Sequence, residues 1–300
     1  MSDEKMKAQM THEDGFIAAL DQSGGSTPGA LRQYGIEADS YSGDDAMYKL
    51  MHDMRVRIIK APAFTGEKVL GAILFERTMD GDVDGKPVPA YLWQDRGVVP
   101  FLKMDKGLEA ANDSVQLMKP MPGLDDLLAR AVKLGVYGTK MRSVIAGASK
   151  TGVRAIVAQQ FEVAKQIAKH GLMPIIEPEV SIKSETKAEA EAQLHEELIK
   201  QLDKMGEGKV MLKLTLPEQA DLYEDLTKHE KVERVVALSG GYTLDDACER
   251  LSQNHGVIAS FSRALIDGLR KDMSDEEFDA TLSTAIFRIY EASAHKIEPL

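Results

Sequence analysis

The sequence contains a single cysteine, Cys248, in 300 residues. No internal disulfide is possible, so nothing indicates an oxidising, extracellular environment. The first residues, MSDEKMKAQMTHEDG, are charged and polar and lack the apolar core of a signal peptide. No apolar run approaches the roughly 20 residues that span a bilayer. We therefore expect a cytoplasmic protein without a membrane partner.

Basic residues are outnumbered by acidic ones, 37 to 48, which gives a formal net charge of −11 at pH 7. This excess repels phosphate backbones, so we expect no nucleic-acid partner. A small anionic ligand would need a locally basic pocket against this background.

No histidine falls at the end of a predicted strand, where a barrel enzyme would hold a catalytic metal. The histidines are His12, His52, His170, His195, His229, His255 and His295.

DGDVDG, at 80–85, matches the first half of a calcium-binding loop, but Tyr91 stands where the loop needs its final glutamate. We expect a turn in a β-ribbon there, and neither a metal nor another cofactor.

Short apolar runs alternate with amphipathic stretches along the chain. The apolar runs predict strands at 16–21, 69–76, 98–105, 136–145, 173–180, 209–216, 234–240 and 256–263. Apolar spacing, capping residues and terminal glycines predict helices at 46–59, 123–135, 153–171, 188–206, 243–253 and 274–293. Eight strand–helix repeats favour a closed (β/α)8 TIM barrel as a single domain over residues 1–300. We expect a polar N-terminal segment at 1–14 and an insertion loop between the second and third strands at 77–97.

The run KVMLKLTL, residues 209–216, places an ammonium group in an otherwise apolar strand. Side chains alternate between the two faces of a strand. Met211, Lys213 and Thr215 share one face, and the opposite face is entirely aliphatic, which suits packing against helices. We therefore expect Lys213 to point into the barrel near the carboxyl end of its strand, where barrel enzymes carry catalytic groups.

The same alternation predicts charged side chains at the carboxyl ends of five more strands. These are Asp21, Lys103 with Asp105, Lys140 with Arg142, Glu177 with Glu179, and Arg263, which on this pattern shares its face with Ala259 and Phe261. A structural network of ion pairs is the alternative explanation. Because burying each ion costs several kcal/mol, charges on six strands favour an active site.

A lysine in this setting indicates Schiff-base chemistry. An amine attacks a carbonyl only in its neutral form, and burial and nearby cations promote the loss of its proton. We expect apolar neighbours around Lys213 and an approach to Lys140 and Arg142. The carboxylates of Glu177 and Asp21 could then move protons while the imine accepts the electrons of a broken C–C bond, which is aldol chemistry.

Two short sequences near the last strands predict anion binding. LSGGYT, at 238–243, puts Ser239, Gly240 and Gly241 at a strand end before a capped helix, where backbone N–H groups can hold a phosphate. SFSR, at 260–263, adds Ser262 and Arg263 at the eighth strand. Loops after strands seven and eight bind phosphate in many barrels.

These residues together resemble the class I fructose-bisphosphate aldolases, the metal-independent Schiff-base family. The resemblance runs from about residue 18 to residue 265, in the family's order. It is carried by ALDQSGGS, ILFERT, VVPFLKMDKG, TKMR, PIIEPEV, MLKL, LSGG and FSRAL. Each motif is short, but eight in order are specific.

The resemblance implies a role for each residue. Lys213 forms the imine with C2 of fructose 1,6-bisphosphate, Glu177 moves protons as the carbinolamine forms and dehydrates, and Asp21 accepts the proton of the C4 hydroxyl. Lys140 stabilises developing negative charge, and Glu179 holds the lysines in place. The C1 phosphate is bound by Ser239, Gly240 and Arg263, and the other end of the substrate by Ser23, Ser26, Lys103 and Arg142. The products are dihydroxyacetone phosphate and glyceraldehyde 3-phosphate.

The chain departs from the animal members of that family at its end. Those members finish in a tyrosine that assists proton exchange on the enamine, whereas this chain finishes HKIEPL. Tyr290 lies on a predicted helix, where we expect it to pack rather than react.

Two other functions compete with fructose-bisphosphate cleavage. One is another Schiff-base sugar-phosphate aldolase or a transaldolase, although basic residues at both ends of the site favour a bisphosphate. The other is a non-catalytic sugar-phosphate sensor on the same fold, against which the intact Lys213, Glu177 and Asp21 argue. We also expect a homo-oligomer, because barrel enzymes often assemble.

Overall fold

The computed structural model describes residues 2–297, without the side chain of Ser2; Met1 and the last three residues of HKIEPL lie outside the described part. Eight parallel strands form its centre: β1 Phe16–Leu20, β2 Val69–Leu74, β3 Val99–Lys103, β4 Gly138–Ile145, β5 Met173–Val180, β6 Val210–Thr215, β7 Val232–Leu238 and β8 Val257–Ala259. They pair in chain order. The Ala19 N–H donates to the Phe261 carbonyl at 3.0 Å and joins the two ends of the sheet. The fold is the single-domain (β/α)8 TIM barrel that the sequence predicts.

Helices surround the strands, and six of them coincide with the six predicted helices. The α-helices are Ser2–His12, Thr27–Gln33, Gly43–Lys60, Glu76–Met79, Val88–Arg96, Leu124–Lys133, Lys150–Lys169, Lys187–Asp203, Glu224–Thr227, Leu244–Ser252, Arg263–Ile266 and Asp275–Ala294. Two predicted caps are confirmed: the Thr243 hydroxyl accepts from the Asp246 N–H, and Ser274 and Glu277 form a capping box. Within residues 2–297, no helix is both long and apolar enough to cross a membrane.

The N-terminal segment forms a helix that closes the amino end of the barrel. Met6 and Met10, one helical turn apart, are buried against Ile17 and Leu70 inside the barrel. The side-chain amide of Gln9 donates to the Leu70 and Gly97 carbonyls, both at 2.8 Å. This end of the barrel is therefore filled by packed side chains, and the opposite end is left for chemistry.

The segment between β2 and β3 combines short helices with a hairpin. The strands Asp82–Val83 and Lys86–Pro87 pair antiparallel, and Asp84 and Gly85 turn the chain with φ of 53° and 79°. The DGDVDG sequence is thus a β-ribbon turn, as predicted. The helix Val88–Arg96 follows it and returns the chain to β3.

The two faces of the barrel strands pack in different layers. Met211 belongs to the apolar cluster inside the barrel, whereas Leu212 and Leu214 pack in the outer layer with the helices. The predicted inward face of Lys213 is therefore confirmed.

The face predicted for the eighth strand is wrong. Ile258 lies in the inner cluster, and Ala259 and Phe261 pack outside. Because β8 ends at Ala259, the alternation stops before Arg263, which reaches the barrel mouth on the short helix Arg263–Ile266.

Candidate active site

A cavity of about 990 Å³ opens at the carboxyl ends of the barrel strands. The predicted site residues that line it are Asp21, Ser23, Ser26, Lys103, Lys140, Arg142, Glu177, Glu179, Lys213, Ser239, Gly240, Ser262 and Arg263. Gly241 does not line the cavity, but a Cβ atom built on it would lie 3.3 Å from Nη2 of Arg263. The structure thus brings residues from seven of the eight strand ends into one space.

Lys140 is the centre of a buried ion cluster in this cavity. Its Nζ atom lies 2.7 Å from Oδ2 of Asp21 and 2.8 Å from Oε2 of Glu177. Burial alone would lower the pKa of Lys140, but Asp21, Glu177 and Asp105 raise it well above the ordinary value. Lys140 is therefore a permanent cation between two carboxylates.

Asp21 is held in its ionised form by the same cluster. Burial opposes ionisation of Asp21, but the nearby charges of Lys140 and Lys213 outweigh it and keep the pKa of Asp21 well below its usual range. Lys103 adds a smaller contribution of the same sign. Asp21 follows β1 directly, so the regular strand fixes its direction into the mouth.

Lys213 contacts the oxygen of the Glu177 carboxylate that faces away from Lys140. The distance from Nζ of Lys213 to Oε1 of Glu177 is 3.2 Å, and each residue is only 3% exposed. Gln160, from the helix Lys150–Lys169, accepts a hydrogen bond from the Glu177 N–H at 2.8 Å and supports β5 from behind. A proton acceptor therefore stands beside the one amine that β6 turns into the cavity.

A second pair of ion contacts lies between β3, β4 and β5. Nζ of Lys103 lies 2.6 Å from Oδ1 of Asp105, whose other oxygen accepts from the Arg142 N–H at 3.2 Å. The Arg142 guanidinium donates to Glu179. Burial would lower the pKa of Arg142, but the bond to Glu179 raises it above normal. In the structure Glu179 thus holds Arg142, whereas the family resemblance assigned it to the lysines.

The loop after β7 has a backbone that only glycine tolerates. Gly240 has φ of 62°, and a Cβ there would lie 2.7 Å from Cγ2 of Ile182. The Tyr242 N–H donates to the Ser239 carbonyl at 2.9 Å and closes the turn. Arg263 lies next to this loop and is exposed at the mouth.

A tight turn after β1 forms another part of the cavity wall. Ser26 accepts from the Ser23 N–H at 3.1 Å and donates to the Ser23 carbonyl at 2.9 Å. Gln22, just before this turn, donates to the Ser262 hydroxyl at 2.7 Å. Arg55, 1% exposed, donates to the Gln22 carbonyl from behind. The loops after β1 and β8 are thereby tied together.

The cavity is more basic than the rest of the chain. Six basic and five acidic side chains line it, against 37 basic and 48 acidic residues in the whole sequence. Such a local reversal attracts anionic ligands to the mouth. This is the basic pocket that an anionic ligand would need in so acidic a chain.

Several lining residues were not singled out from the sequence: Gln22, Gln33, Phe75, Glu76, Lys106 and Ser260. Ser260 could have been found, because it stands two residues beyond Ile258 and so shares its inward face. Glu76 ends the ILFE run, and its carboxylate pairs with Lys106 and Arg130. These ion pairs of Glu76 join residues that are far apart in the sequence, so no local sequence pattern indicates them.

Within residues 2–297, no group of three or more His, Cys, Asp or Glu side chains is arranged to hold a metal ion. Tyr290 is partly buried against the core, and Nζ of Lys68 lies 5.5 Å from the centre of its ring. The predicted packing role of Tyr290 is confirmed.

Comparison with known proteins gives concordant matches. The family model described as "Glycolytic: Fructose-bisphosphate aldolase class-I" matches residues 5–252. A "Fructose-bisphosphate aldolase class 1" of Synechocystis sp. is 57% identical over 291 residues, covering 97% of each chain. One of Porphyromonas gingivalis is 53% identical over 285 residues, covering 95% of this chain and 97% of its own. The fructose-bisphosphate aldolase structure of Plasmodium falciparum aligns with a TM-score of 0.78 at 20% identity, over 100% of this chain and 96% of that one; this last match shows a shared fold.

Proposed function

This chain belongs to the class I fructose-bisphosphate aldolase family and catalyses reversible cleavage of fructose 1,6-bisphosphate, and we propose that Lys213 forms the Schiff base. The observation that carries this assignment is the contact between Nζ of Lys213 and Oε1 of Glu177 at 3.2 Å inside the basic cavity. A nucleophile and a proton acceptor within hydrogen-bond reach are the minimum that imine formation needs.

Imine formation begins when Lys213 gives one proton to Glu177 and the resulting neutral amine bonds to C2 of the open-chain ketose. A second proton of the nitrogen passes to the former carbonyl oxygen, which becomes a hydroxyl. Glu177 then returns the first proton to that hydroxyl, which leaves as water. The product is a protonated imine, an electron acceptor next to C3.

Cleavage follows at the bond between C3 and C4. Asp21 accepts the proton of the C4 hydroxyl, C4 becomes the aldehyde of glyceraldehyde 3-phosphate, and the bond's electron pair moves through C3 to the imine nitrogen. The low pKa of Asp21 keeps it ionised for this step. Protonation of the resulting enamine at C3 and hydrolysis of the imine release dihydroxyacetone phosphate and restore the lysine.

The two phosphates occupy opposite ends of the cavity in this proposal. Arg263 with the loop 239–241 and Ser262 binds the C1 phosphate. Lys103, Arg142, Ser23 and Ser26 surround the other end. Support comes from the two separate basic groups, of which the first lies after β7 and β8 and the second after β3 and β4. Phosphate binding after strands seven and eight recurs in this fold.

We also propose that the enzyme is cytoplasmic and acts on a small sugar phosphate. The glycolytic family description supports this proposal. A homo-oligomer built from one barrel domain per chain is our expectation for the assembly.

Borohydride reduction tests the Schiff base directly. With dihydroxyacetone phosphate present, reduction should leave one covalent adduct on the peptide that contains Lys213, and activity should persist in excess chelator. An adduct on any other lysine overturns the assignment. Comparing turnover of fructose 1,6-bisphosphate with that of fructose 1-phosphate measures how much the second phosphate contributes.

A further inference from the structure

Arg55 is a buried cation behind the catalytic cavity that takes no part in the chemical steps above. It lies on the helix Gly43–Lys60 and is 1% exposed. Burial lowers the pKa of Arg55 to about 10, against the attraction of Asp21, so the side chain stays charged at neutral pH. The oxygens that its guanidinium bonds to are all uncharged. Because it is costly to take a charge out of water, a neutral side chain would serve a purely structural link better.

The guanidinium of Arg55 connects the chain just after β1 to the short helix after β2, Glu76–Met79. Nη2 donates to the Gln22 carbonyl, and Nη1 donates to the Thr78 hydroxyl at 2.8 Å. Thr78 is itself fixed, because it is 1% exposed and its N–H donates to the Phe75 carbonyl at 2.9 Å. The Cζ atom of Arg55 also lies 5.9 Å from the centre of the Phe75 ring, which lines the cavity. Arg55 thus fastens the peptide of Gln22 to a rigid support.

Gln22 passes this restraint to two groups of the cavity. It follows Asp21, whose Oδ2 atom lies 2.7 Å from Nζ of Lys140. Its own side-chain amide donates to the Ser262 hydroxyl at 2.7 Å. Because β1 ends one residue before Asp21, the strand holds Asp21 from one side only. The bond from Arg55 to the next residue holds it from the other side.

We propose that Arg55 is a positioning residue, which holds the Asp21 carboxylate where it can accept the proton of the C4 hydroxyl. This inference rests on the proposed roles of Asp21 and Lys213. In the proposed function Asp21 acts when the bond between C3 and C4 breaks, whereas imine formation uses Lys213 and Glu177. Loss of Arg55 should therefore slow cleavage and spare the imine. Misplacing a catalytic group by about 1 Å costs on the order of a hundredfold in rate.

The experiment measures two quantities for each variant of the full chain. One is kcat for cleavage of fructose 1,6-bisphosphate, and the other is the rate of borohydride trapping with dihydroxyacetone phosphate. In Arg55→Gln, kcat should fall on the order of a hundredfold, while KM and the trapping rate stay unchanged. Arg55→Lys keeps the charge but reaches only one of the two oxygens, so it should lose less.

Arg57→Gln is the matched control for Arg55→Gln. Arg57 lies on the same helix and donates to the Met273 carbonyl at 2.6 Å and to Asp275 at 3.1 Å. None of these three residues lines the cavity. Arg57→Gln should therefore match the wild type in both kcat and trapping rate.

Thr78→Val tests the same link from its other end. It removes one hydroxyl and keeps the shape of the side chain, so it should fold even where Arg55→Gln does not. The loss of kcat should be selective again but smaller, because Arg55 keeps its bond to Gln22.

Two results overturn the inference about Arg55. One is a wild-type kcat in Arg55→Gln, or in Thr78→Val if Arg55→Gln does not fold. The other is an equal fall of kcat and trapping rate, which indicates a general structural role. Mapping the adduct of the wild type separates this failure from that of the proposed function. If the adduct is on Lys213 and the variants cleave normally, only the role of Arg55 is lost; if it is elsewhere, the proposed function fails first.

Discussion

Lys213 and Glu177 meet at 3.2 Å between Nζ and Oε1, and the other oxygen of Glu177 lies 2.8 Å from Nζ of Lys140. One carboxylate therefore joins the amine on β6 to the cation that holds Asp21. The groups that exchange protons in the proposed mechanism therefore lie within reach of one another. Such preorganisation lowers the cost of reaching the transition state.

Removing the Lys213 amine should abolish turnover without unfolding the protein. Lys213→Ala leaves Glu177 paired with Lys140, so no carboxylate is stranded in the barrel. We expect kcat to fall on the order of 10⁴-fold or more, the scale seen when a catalytic nucleophile is removed, with a circular dichroism spectrum like the wild type. Lys209→Ala, at the start of the same strand segment, is the control and should keep full activity. Substantial turnover by Lys213→Ala would disprove the nucleophile assignment.

Asp21 should contribute stability that is lost in acid. Its pKa is lowered in the folded chain from an ordinary value of 3.8, so the unfolded state binds more protons as the pH falls towards that value. The contribution is therefore complete above about pH 5 and declines below it. In urea unfolding between pH 6 and pH 3.5, Asp21→Asn should show a shallower loss of the free energy of unfolding than the wild type. Exposed Asp39→Asn should keep the wild-type slope, and equal slopes for all three proteins would contradict the prediction.

The barrel was predictable because seven of its eight strands have five to eight residues. β6 has six residues, enough for alternation to show that Lys213 faces inward. β8 has three, and the same reasoning extended to Arg263 put Ala259 and Phe261 on the wrong face. The helix at the N-terminus was hidden by its charges, although Met6 and Met10 at helical spacing were the available signal.

The sequence predicted which residues form the site better than it predicted which ion pairs those residues make. Parity and the family resemblance indicated Lys140, Glu177 and Glu179 as neighbours. They could not show that Lys140 bridges Asp21 and Glu177, or that Glu179 pairs with Arg142. Those partners depend on barrel closure and on side-chain conformation, which no local spacing encodes.

Truncating Met10 should weaken the fold but leave the chemistry intact. Its side chain is fully buried at the amino end of the barrel, opposite the cavity. Met10→Ala should lower the free energy of unfolding by about 2–5 kcal/mol, the usual cost of a large-to-small change in a core. Measured below its unfolding midpoint, kcat/KM per folded molecule should equal that of the wild type. The exposed neighbour change Lys7→Ala should alter neither quantity, and a selective loss of kcat in Met10→Ala would show that the two ends of the barrel are coupled.

Arg263 and Arg142 should respond differently to the loss of their charge. Arg263 is exposed at the mouth and makes no ion pair with any described residue, whereas Arg142 donates to Glu179 and its backbone N–H donates to Asp105. Arg263→Gln should therefore keep the free energy of unfolding within about 0.5 kcal/mol of the wild type. Arg142→Gln removes the partner of Glu179 and should cost about 1–3 kcal/mol.

The same two variants should show which product binds at which end of the cavity. Arg263→Gln should weaken inhibition by dihydroxyacetone phosphate about tenfold to a hundredfold and spare glyceraldehyde 3-phosphate. Arg142→Gln should do the reverse. Thermal melting measures the stability difference, and inhibition of fructose 1,6-bisphosphate cleavage measures binding. If both variants weaken the same product, the two basic groups bind one phosphate, and the orientation of the substrate in the cavity has to be reassigned.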